Sequence, residues 1–257
     1  MENQVRNPNS LNVIVPACGL GQRFIDAGHT TPKPFISVAG HPMVQWVLDS
    51  IPDADHAVVL LQHGTPEALG RRLLPGVRVV GLSMPEYARG AAETVLCATK
   101  HIPLTEQVLV VNCDNVILPF RGWANIIADW RSAGAVGGIF TFRPAQPGPF
   151  SYLRESAPRV VAEVAEKTEI GPYACAGAFW FSSYALLHAV ANMHMKGEPD
   201  FHKEYYLAPV YNHLIKNGLT VMHYTLEEED LFVRIGTPED LLAAEAELSH
   251  AHHASTI

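Results

Sequence analysis

The sequence predicts an α/β protein built on a doubly wound, mostly parallel mixed sheet. Two observations carry this. Short apolar runs without polar alternation, clearest at Val108-Leu109-Val110-Val111, fit strands covered on both faces. In the first half they alternate with segments of helical spacing, as right-handed βαβ units require. The second half changes to strand-like stretches with few helices between them, so the sheet is mixed.

Residues 1–11 read as a flexible arm. Asn12-Val13-Ile14-Val15-Pro16 is an apolar run closed by small residues and glycines, a buried strand entering a loop. Val44, Val47, Leu48 and Ile51 follow helical i, i+3, i+4, i+7 spacing. Runs at 57–61 and 77–82 give further strands. Ala91, Val95, Ala98 and Ile102 place a helix over 91–102, before the strand at 108–111. Strands are then expected at 136–142, 152–154, 160–165 and 174–181, with the Pro- and Gly-rich 144–149 as a loop. Leu207, Val210, Tyr211 and Leu214 mark a helix and 220–225 a strand. A last helix starts near Thr237-Pro238-Glu239-Asp240, with threonine at the cap, proline first and acids in the first turn. The expected organisation is one domain over 12–249, its halves 12–135 and 136–249 sharing one sheet. Residues 250–257, with His250, His252 and His253, read as a tail.

The chain has 257 residues, 48% hydrophobic and 17% charged. That length buries a substantial core without staples. A charged fraction below the usual ~25% argues against a disordered chain. With 18 Lys+Arg against 26 Asp+Glu the formal charge is -8, which excludes nucleic-acid binding by broad phosphate neutralisation. A phosphate-bearing small molecule needs only a few local cations. Cys18, Cys97, Cys113 and Cys175 form neither a disulfide framework nor a zinc motif, as expected of reduced thiols in the cytoplasm. The first eleven residues lack a signal peptide's apolar core, and no run approaches the ~18–20 apolar residues of a membrane span.

The segment Pro16-Ala17-Cys18-Gly19-Leu20-Gly21-Gln22-Arg23-Phe24 carries the clearest chemistry. Glycines directly after a buried strand let backbone N–H groups turn onto phosphate oxygens. Arg23 adds a forked cation, and Lys33, stiffened between Pro32 and Pro34, a second. This is not the dinucleotide fingerprint: the third glycine is missing and the segment is expected to continue as loop. No Gly-Lys-Ser/Thr follows, which excludes a Walker A loop.

Gly19-x-Gly21-x-Arg23 followed by Thr31-Pro32-Lys33-Pro34-Phe35-Ile36-x-Val38-x-Gly40-x-Pro42-Met43 resembles the signature of the sugar-phosphate nucleotidyltransferases, of the glucose-1-phosphate thymidylyltransferase-like kind. The resemblance continues through Arg89-Gly90-Ala91-Ala92-Glu93-Thr94, with Arg89 where the family often has Gln. It includes Asn112-Cys113-Asp114, Glu163-Val164-Ala165-Glu166-Lys167, Ala174-Cys175-Ala176-Gly177 and Glu204-Tyr205-Tyr206. It closes on Gly236-Thr237-Pro238-Glu239-Asp240, so that it covers 12–248. One position departs: where many members have a second metal-binding Asp, this chain has Arg234.

The resemblance implies a GT-A-like nucleotidyltransferase fold with a Rossmann-like, nucleotide-binding front half. It implies transfer of a nucleoside monophosphate from an NTP to a phosphorylated acceptor, by default a sugar 1-phosphate, with release of pyrophosphate. A cytidylyltransferase for a non-sugar phosphate or phosphonate is the alternative. Arg23, Lys33 and Asp114 are the implied catalytic residues. Asp114 holds Mg2+ either with substrate phosphates and water or with help from Asp230. Ala17, Cys18, Gly19, Leu20, Gly21, Arg89, Gly90 and Thr94 are the implied nucleotide contacts. Asn112, the stretch Phe150-Ser151-Tyr152, Glu166, Lys167 and Gly177 are the implied acceptor contacts, with Tyr152 otherwise a packing residue, and the departing Arg234 is a further candidate on its charge. Arg234 either meets an anion of the acceptor or turns outward to Glu227, Glu228 or Asp230. The family's habit implies a homo-oligomer, while the acidic charge and the lack of a long apolar run lead to the expectation of neither nucleic-acid nor membrane partners. Two further readings stay beside this one. A glycosyltransferase wants Asp-x-Asp, which Asn112-Cys113-Asp114 lacks, and a non-catalytic nucleotide sensor is favoured by Arg234.

Overall fold

The computed structural model describes residues 10–52, 54–62, 78–81, 88–201 and 203–254. Most of the expected arm, the strand ends at Val77 and Leu82 and the last three residues of the expected tail lie outside them. In chain order the front half contains β1 (Asn12–Ala17), α1 (Gln22–Asp26), a 3-10 turn (Lys33–Phe35), β2 (Ser37–Val38), β3 (His41–Pro42), α2 (Met43–Asp49), β4 (His56–Leu61) and β5 (Arg78–Gly81). It continues with α3 (Ala91–Thr94), a 3-10 turn (Val95–Lys100), β6 (Val108–Val111), β7 (Asn115–Leu118) and α4 (Trp123–Ser132). The back half contains β8 (Gly137–Phe142), β9 (Ser151–Ala157), β10 (Val160–Glu166), β11 (Tyr173–Phe181), α5 (Tyr184–His194) and a 3-10 turn (Ala208–Val210). Then follow α6 (Tyr211–Lys216), β12 (Val221–Thr225), β13 (Leu231–Arg234) and α7 (Pro238–Ala254).

Nine of the described strands form one sheet in the order β5-β4-β1-β6-β11-β8-β12-β10-β9. β5, β4, β1 and β6 are mutually parallel. β11 joins β6 antiparallel, with Phe179 opposite Val110, and so fuses the halves into one sheet. Side chains alternate between two cores, as the two-residue strand period demands. Val13, Val15, Leu109, Val111 and Trp180 face α2, α4 and α7. Ile14, Val110, Phe179 and Phe181 face α3, α5 and α6.

Four elements differ from the sequence expectation. The loop expected after Gly21 is the short helix α1, started by Gly21 in the left-handed conformation (φ 65) and anchored by buried Phe24. The helix expected over 91–102 tightens into a 3-10 turn after Thr94, where the Tyr184 hydroxyl donates to the Val95 carbonyl at 2.8 Å. α4 and α5 stand where no element is expected. α4 buries Trp123, Ile126, Ile127 and Trp130 on one face, and Ser183 caps α5 by accepting from the Leu186 amide. α7 begins where expected: Thr237 Oγ1 accepts from the Asp240 amide and Asp240 accepts from the Thr237 amide, a reciprocal capping box. It runs to Ala254, past the expected start of the tail.

Candidate active site

Ligands collect at the carboxyl ends of the strands in open α/β sheets. The ends of β1 and β6 here border a cleft of about 370 Å³. From β1 and its loop it is lined by Pro16, Ala17, Cys18, Gly19 and Gly21; Lys33 and Pro34 follow. Gly90, Ala91 and Thr94 line it from the start of α3, and Asn112, Cys113 and Asp114 from the end of β6. Ser151, Glu204 and Tyr206 form the far wall.

Lys33 Nζ donates to Asp114 Oδ2 at 2.5 Å, both side chains being largely buried. Burial alone would lower the Lys33 pKa; the Asp114 carboxylate outweighs it and holds the ammonium above its usual value. Gly21 permits this arrangement twice over. Its φ is left-handed, and a β-carbon there would stand 2.9 Å from Lys33 Cβ. Burial pushes the Cys18 and Cys113 thiols up to about 12, so the two cysteines on the wall are not thiolates.

Gly90 ties the α3 start to the far wall. Its φ is 114, and a β-carbon would meet the Tyr205 carbonyl oxygen at 2.4 Å. The Tyr205 amide donates to the Arg89 carbonyl at 2.7 Å and the Ala92 amide to the Tyr205 carbonyl at 3.1 Å. At the end of β6, the Asn112 amide donates to the Gly177 carbonyl and Asn115 Nδ2 to the Ala176 carbonyl. Gly177 (φ 84) sits in a register shift of β11, and a β-carbon there would overlap Asn115 and Asn112. The Ile235 amide donates to the Asp114 carbonyl at 2.8 Å, and Arg234 pairs in register with Asn115.

On the far wall Ser151 hydrogen-bonds Glu166, whose pKa burial raises. Lys167 adopts φ 52, its amide donates to the Phe150 carbonyl, and its Nζ donates to the Tyr206 hydroxyl at 2.8 Å while lying 4.1 Å from the Phe201 ring centroid.

The structure thus brings Ala17, Cys18, Gly19, Gly21, Lys33, Gly90, Thr94, Asn112 and Asp114 onto one cleft. Glu166, Lys167 and Gly177 stand behind its lining, against Ser151, Tyr206 and Asn112. Arg23 and Leu20 are exposed outside the lining, because α1 turns Phe24 inward and Arg23 out. Arg89 also stands outside it, paired with Glu93 at 2.7 Å and lying over the Tyr205 ring. Tyr152 is a packing residue and not an acceptor contact of its own. It is 1% exposed, with its hydroxyl bonded to the backbone of Gly148, so its side chain packs and offers no ligand surface. Its neighbour Ser151 takes the place on the wall. Ser151 lies inside the expected acceptor stretch 150–152 and Cys113 inside the Asn112-Cys113-Asp114 motif, and both line the cleft.

Of the carboxylates that line the cleft, Asp114 stands at the strand ends and Glu204 on the far wall, so Asp114 is the one that could hold a divalent ion at this edge. Among the described residues no group of three or more His, Cys, Asp and Glu gathers as a metal cluster. Magnesium takes one or two protein carboxylates beside phosphates. The donor set therefore fits it as an ion carried with bound phosphates.

The model of the MobA-like NTP transferase domain matches residues 13–177. The chain belongs to this family. The match covers the glycine loop, Lys33, Asp114 and Lys167, and it agrees with the resemblance read from those residues. A bifunctional protein GlmU from Heliobacterium modesticaldum is 30% identical over 253 residues, which is 91% of this chain and 51% of that protein. The chain thus spans about half the length of the curated relatives it matches first. A 2-aminoethylphosphonate cytidylyltransferase from Lancefieldella rimae is 44% identical over 45 residues, 18% of each chain. A nucleoside-diphosphate-sugar pyrophosphorylase from Vibrio cholerae RC9 superposes with a TM-score of 0.73 at 21% identity, covering 91% of this chain and 99% of that one. The NTP transferase fold of the family is therefore the fold of this chain. Among the described residues no helix is long and apolar enough to cross a membrane.

Proposed function

We propose that this NTP transferase domain joins a nucleoside monophosphate to a phosphorylated small acceptor, most simply a sugar 1-phosphate. The observation that carries the reading is the Lys33–Asp114 pair beside the glycine loop, a cation and a carboxylate on one cleft. An oxygen of the acceptor's phosphate attacks the α-phosphorus, the bond from that phosphorus to the β-bridging oxygen breaks, and pyrophosphate leaves. A phosphate monoester's second pKa is about 6, so the nucleophile is already dianionic and needs no general base. The work is positioning and charge neutralisation.

In this reading the amides of the glycine loop and Lys33 hold the triphosphate, and Arg23 closes over it from the rim. Asp114 would hold Mg2+ shared with the phosphates, and the ion would supply charge neutralisation where the two polyanions meet. Ala17, Cys18, Gly90 and Thr94 border the nucleoside. Asn112, Ser151, Tyr206 and Lys167 border the acceptor. The short stretch shared with the 2-aminoethylphosphonate cytidylyltransferase favours a second reading, a non-sugar phosphate or phosphonate acceptor with CTP.

One assay tests all of this: pyrophosphate release with each of the four common NTPs against a panel of sugar 1-phosphates, amino-alcohol phosphates and phosphonates. Release that requires both an NTP and one acceptor class is expected. Tight NTP binding without release for every pair would leave the non-catalytic sensor.

A further inference from the structure

Most described basic side chains at or behind the cleft have an oxygen partner. Lys33 holds Asp114, Arg89 holds Glu93, and Lys167 holds the Tyr206 hydroxyl. Arg234 is half-buried, and among the described residues no carboxylate lies within ion-pair distance of it. The acids just before it in sequence do not reach it. Glu227 pairs with Arg143, and Asp230 accepts from the Phe120 amide and the Tyr224 hydroxyl. The outward pairing with Glu227 or Asp230 is therefore not the one adopted.

Its surroundings are built. β13 pairs with β7 so that Arg234 lies opposite Asn115, and the next amide binds Asp114's carbonyl. The guanidinium lies 4.7 Å from the ring centroid of Phe150, the residue before Ser151. Phe150 is itself fixed against Phe142, which packs on Phe232. Arg234 therefore spans from the neighbourhood of Asp114 to that of Ser151, two residues on opposite walls of the cleft. A guanidinium cannot lose its proton at ordinary pH, and one resting on an aromatic face keeps its planar N–H fork free for an oxyanion.

We propose that Arg234 binds the phosphate or phosphonate oxyanion of the acceptor at the Asp114 end of the cleft, and so acts as a specificity-determining residue for anionic acceptors. The identity of the anion's carrier rests on the transferase reading above; the oxyanion site itself does not.

The test is an NMR titration of the full chain with inorganic phosphate, read at the amides of Asn115 and Ile235. It compares wild type with Arg234→Leu, which keeps apolar contact with Phe150, and with Arg234→Lys, which keeps charge without the fork. Saturable shifts at those amides are expected in wild type. About 10- to 100-fold weaker binding is expected in the Leu variant, with the Lys variant between them. No shift at those amides in wild type, or equal phosphate affinity in wild type and the Leu variant, overturns the proposal. In turnover, Arg234→Leu should raise the acceptor KM and leave the NTP KM in place. Absence of turnover with every NTP–acceptor pair would defeat the transferase reading alone, since the phosphate titration decides the Arg234 site without it.

Discussion

Lys33 and Asp114 neutralise each other in the wall of the cleft, so in the proposed reaction an entering polyanion must draw the ammonium toward itself. Lys33→Ala removes the positive member and leaves Asp114 facing the phosphates. Loss of one such partner costs about 3–4 kcal/mol of transition-state stabilisation, so kcat should fall roughly 100- to 1000-fold. A circular-dichroism melt checks that the fold survives. Asp114→Asn, and chelation of divalent ions in wild type, should each remove most turnover; full activity in EDTA would contradict the role given to Asp114. Gly90→Ala carries a different expectation. Its β-carbon would stand 2.4 Å from the Tyr205 carbonyl at a φ of 114, and backbone on backbone cannot yield cheaply. A loss of about 1–3 kcal/mol of stability should appear in denaturant melts. At this scale the sequence was informative wherever backbone chemistry dictates the residue. Glycines at 21, 90 and 177 were legible because a side chain would strike a neighbour. Tyr152 was not, since a tyrosine packs or binds equally well until burial is known.

Elements were legible where periodicity or capping chemistry is long enough to read. The start of α7 follows from Thr237 and Asp240, and the structure adds the reciprocal bonds. Asp240→Ala should cost about 1 kcal/mol by freeing two amides, seen as a melting-temperature drop of roughly 2–4 °C. An unchanged melt would mean that this helix start frays already. α4 was missed although Trp123, Ile126, Ile127 and Trp130 follow i, i+3, i+4, i+7 spacing, because the stripe lies between stretches rich in strand formers. α1 is not written in the sequence. Five residues make too little period, and its existence depends on Gly21's turn and on a pocket for Phe24. The 3-10 turn after α3 depends on Tyr184, some ninety residues away, taking the Val95 carbonyl.

Across the whole molecule, the parallel front half and mixed back half meet at β6–β11, and both cores continue through that junction. Alternating apolar runs predicted the sheet but not its order, because β11's antiparallel insertion is decided by long-range pairing. The back half also holds a buried polar chain: Thr141 Oγ1 lies 3.0 Å from His223 Nδ1, and His223 Nε2 lies 2.8 Å from Glu155. Burial lowers the His223 pKa below its ordinary 6.5, although Glu155 opposes the shift. The unfolded chain therefore takes up this proton first as pH falls, and global stability should decline below pH 6.5. His213 shifts the same way through burial and His194, so His223→Asn should flatten only part of that slope in melts taken across the range.

In the proposed reaction the acceptor's own phosphate becomes the bridge to the nucleotide. The most direct measurement of this uses the acceptor that the pyrophosphate panel turns over, labelled with 18O in its phosphate oxygens, with mass spectrometry of both products. Every acceptor-phosphate label is expected in the nucleotide-linked product and none in the pyrophosphate. Label appearing in pyrophosphate or in free phosphate, or a product lacking the acceptor's phosphate, would contradict the proposed reaction.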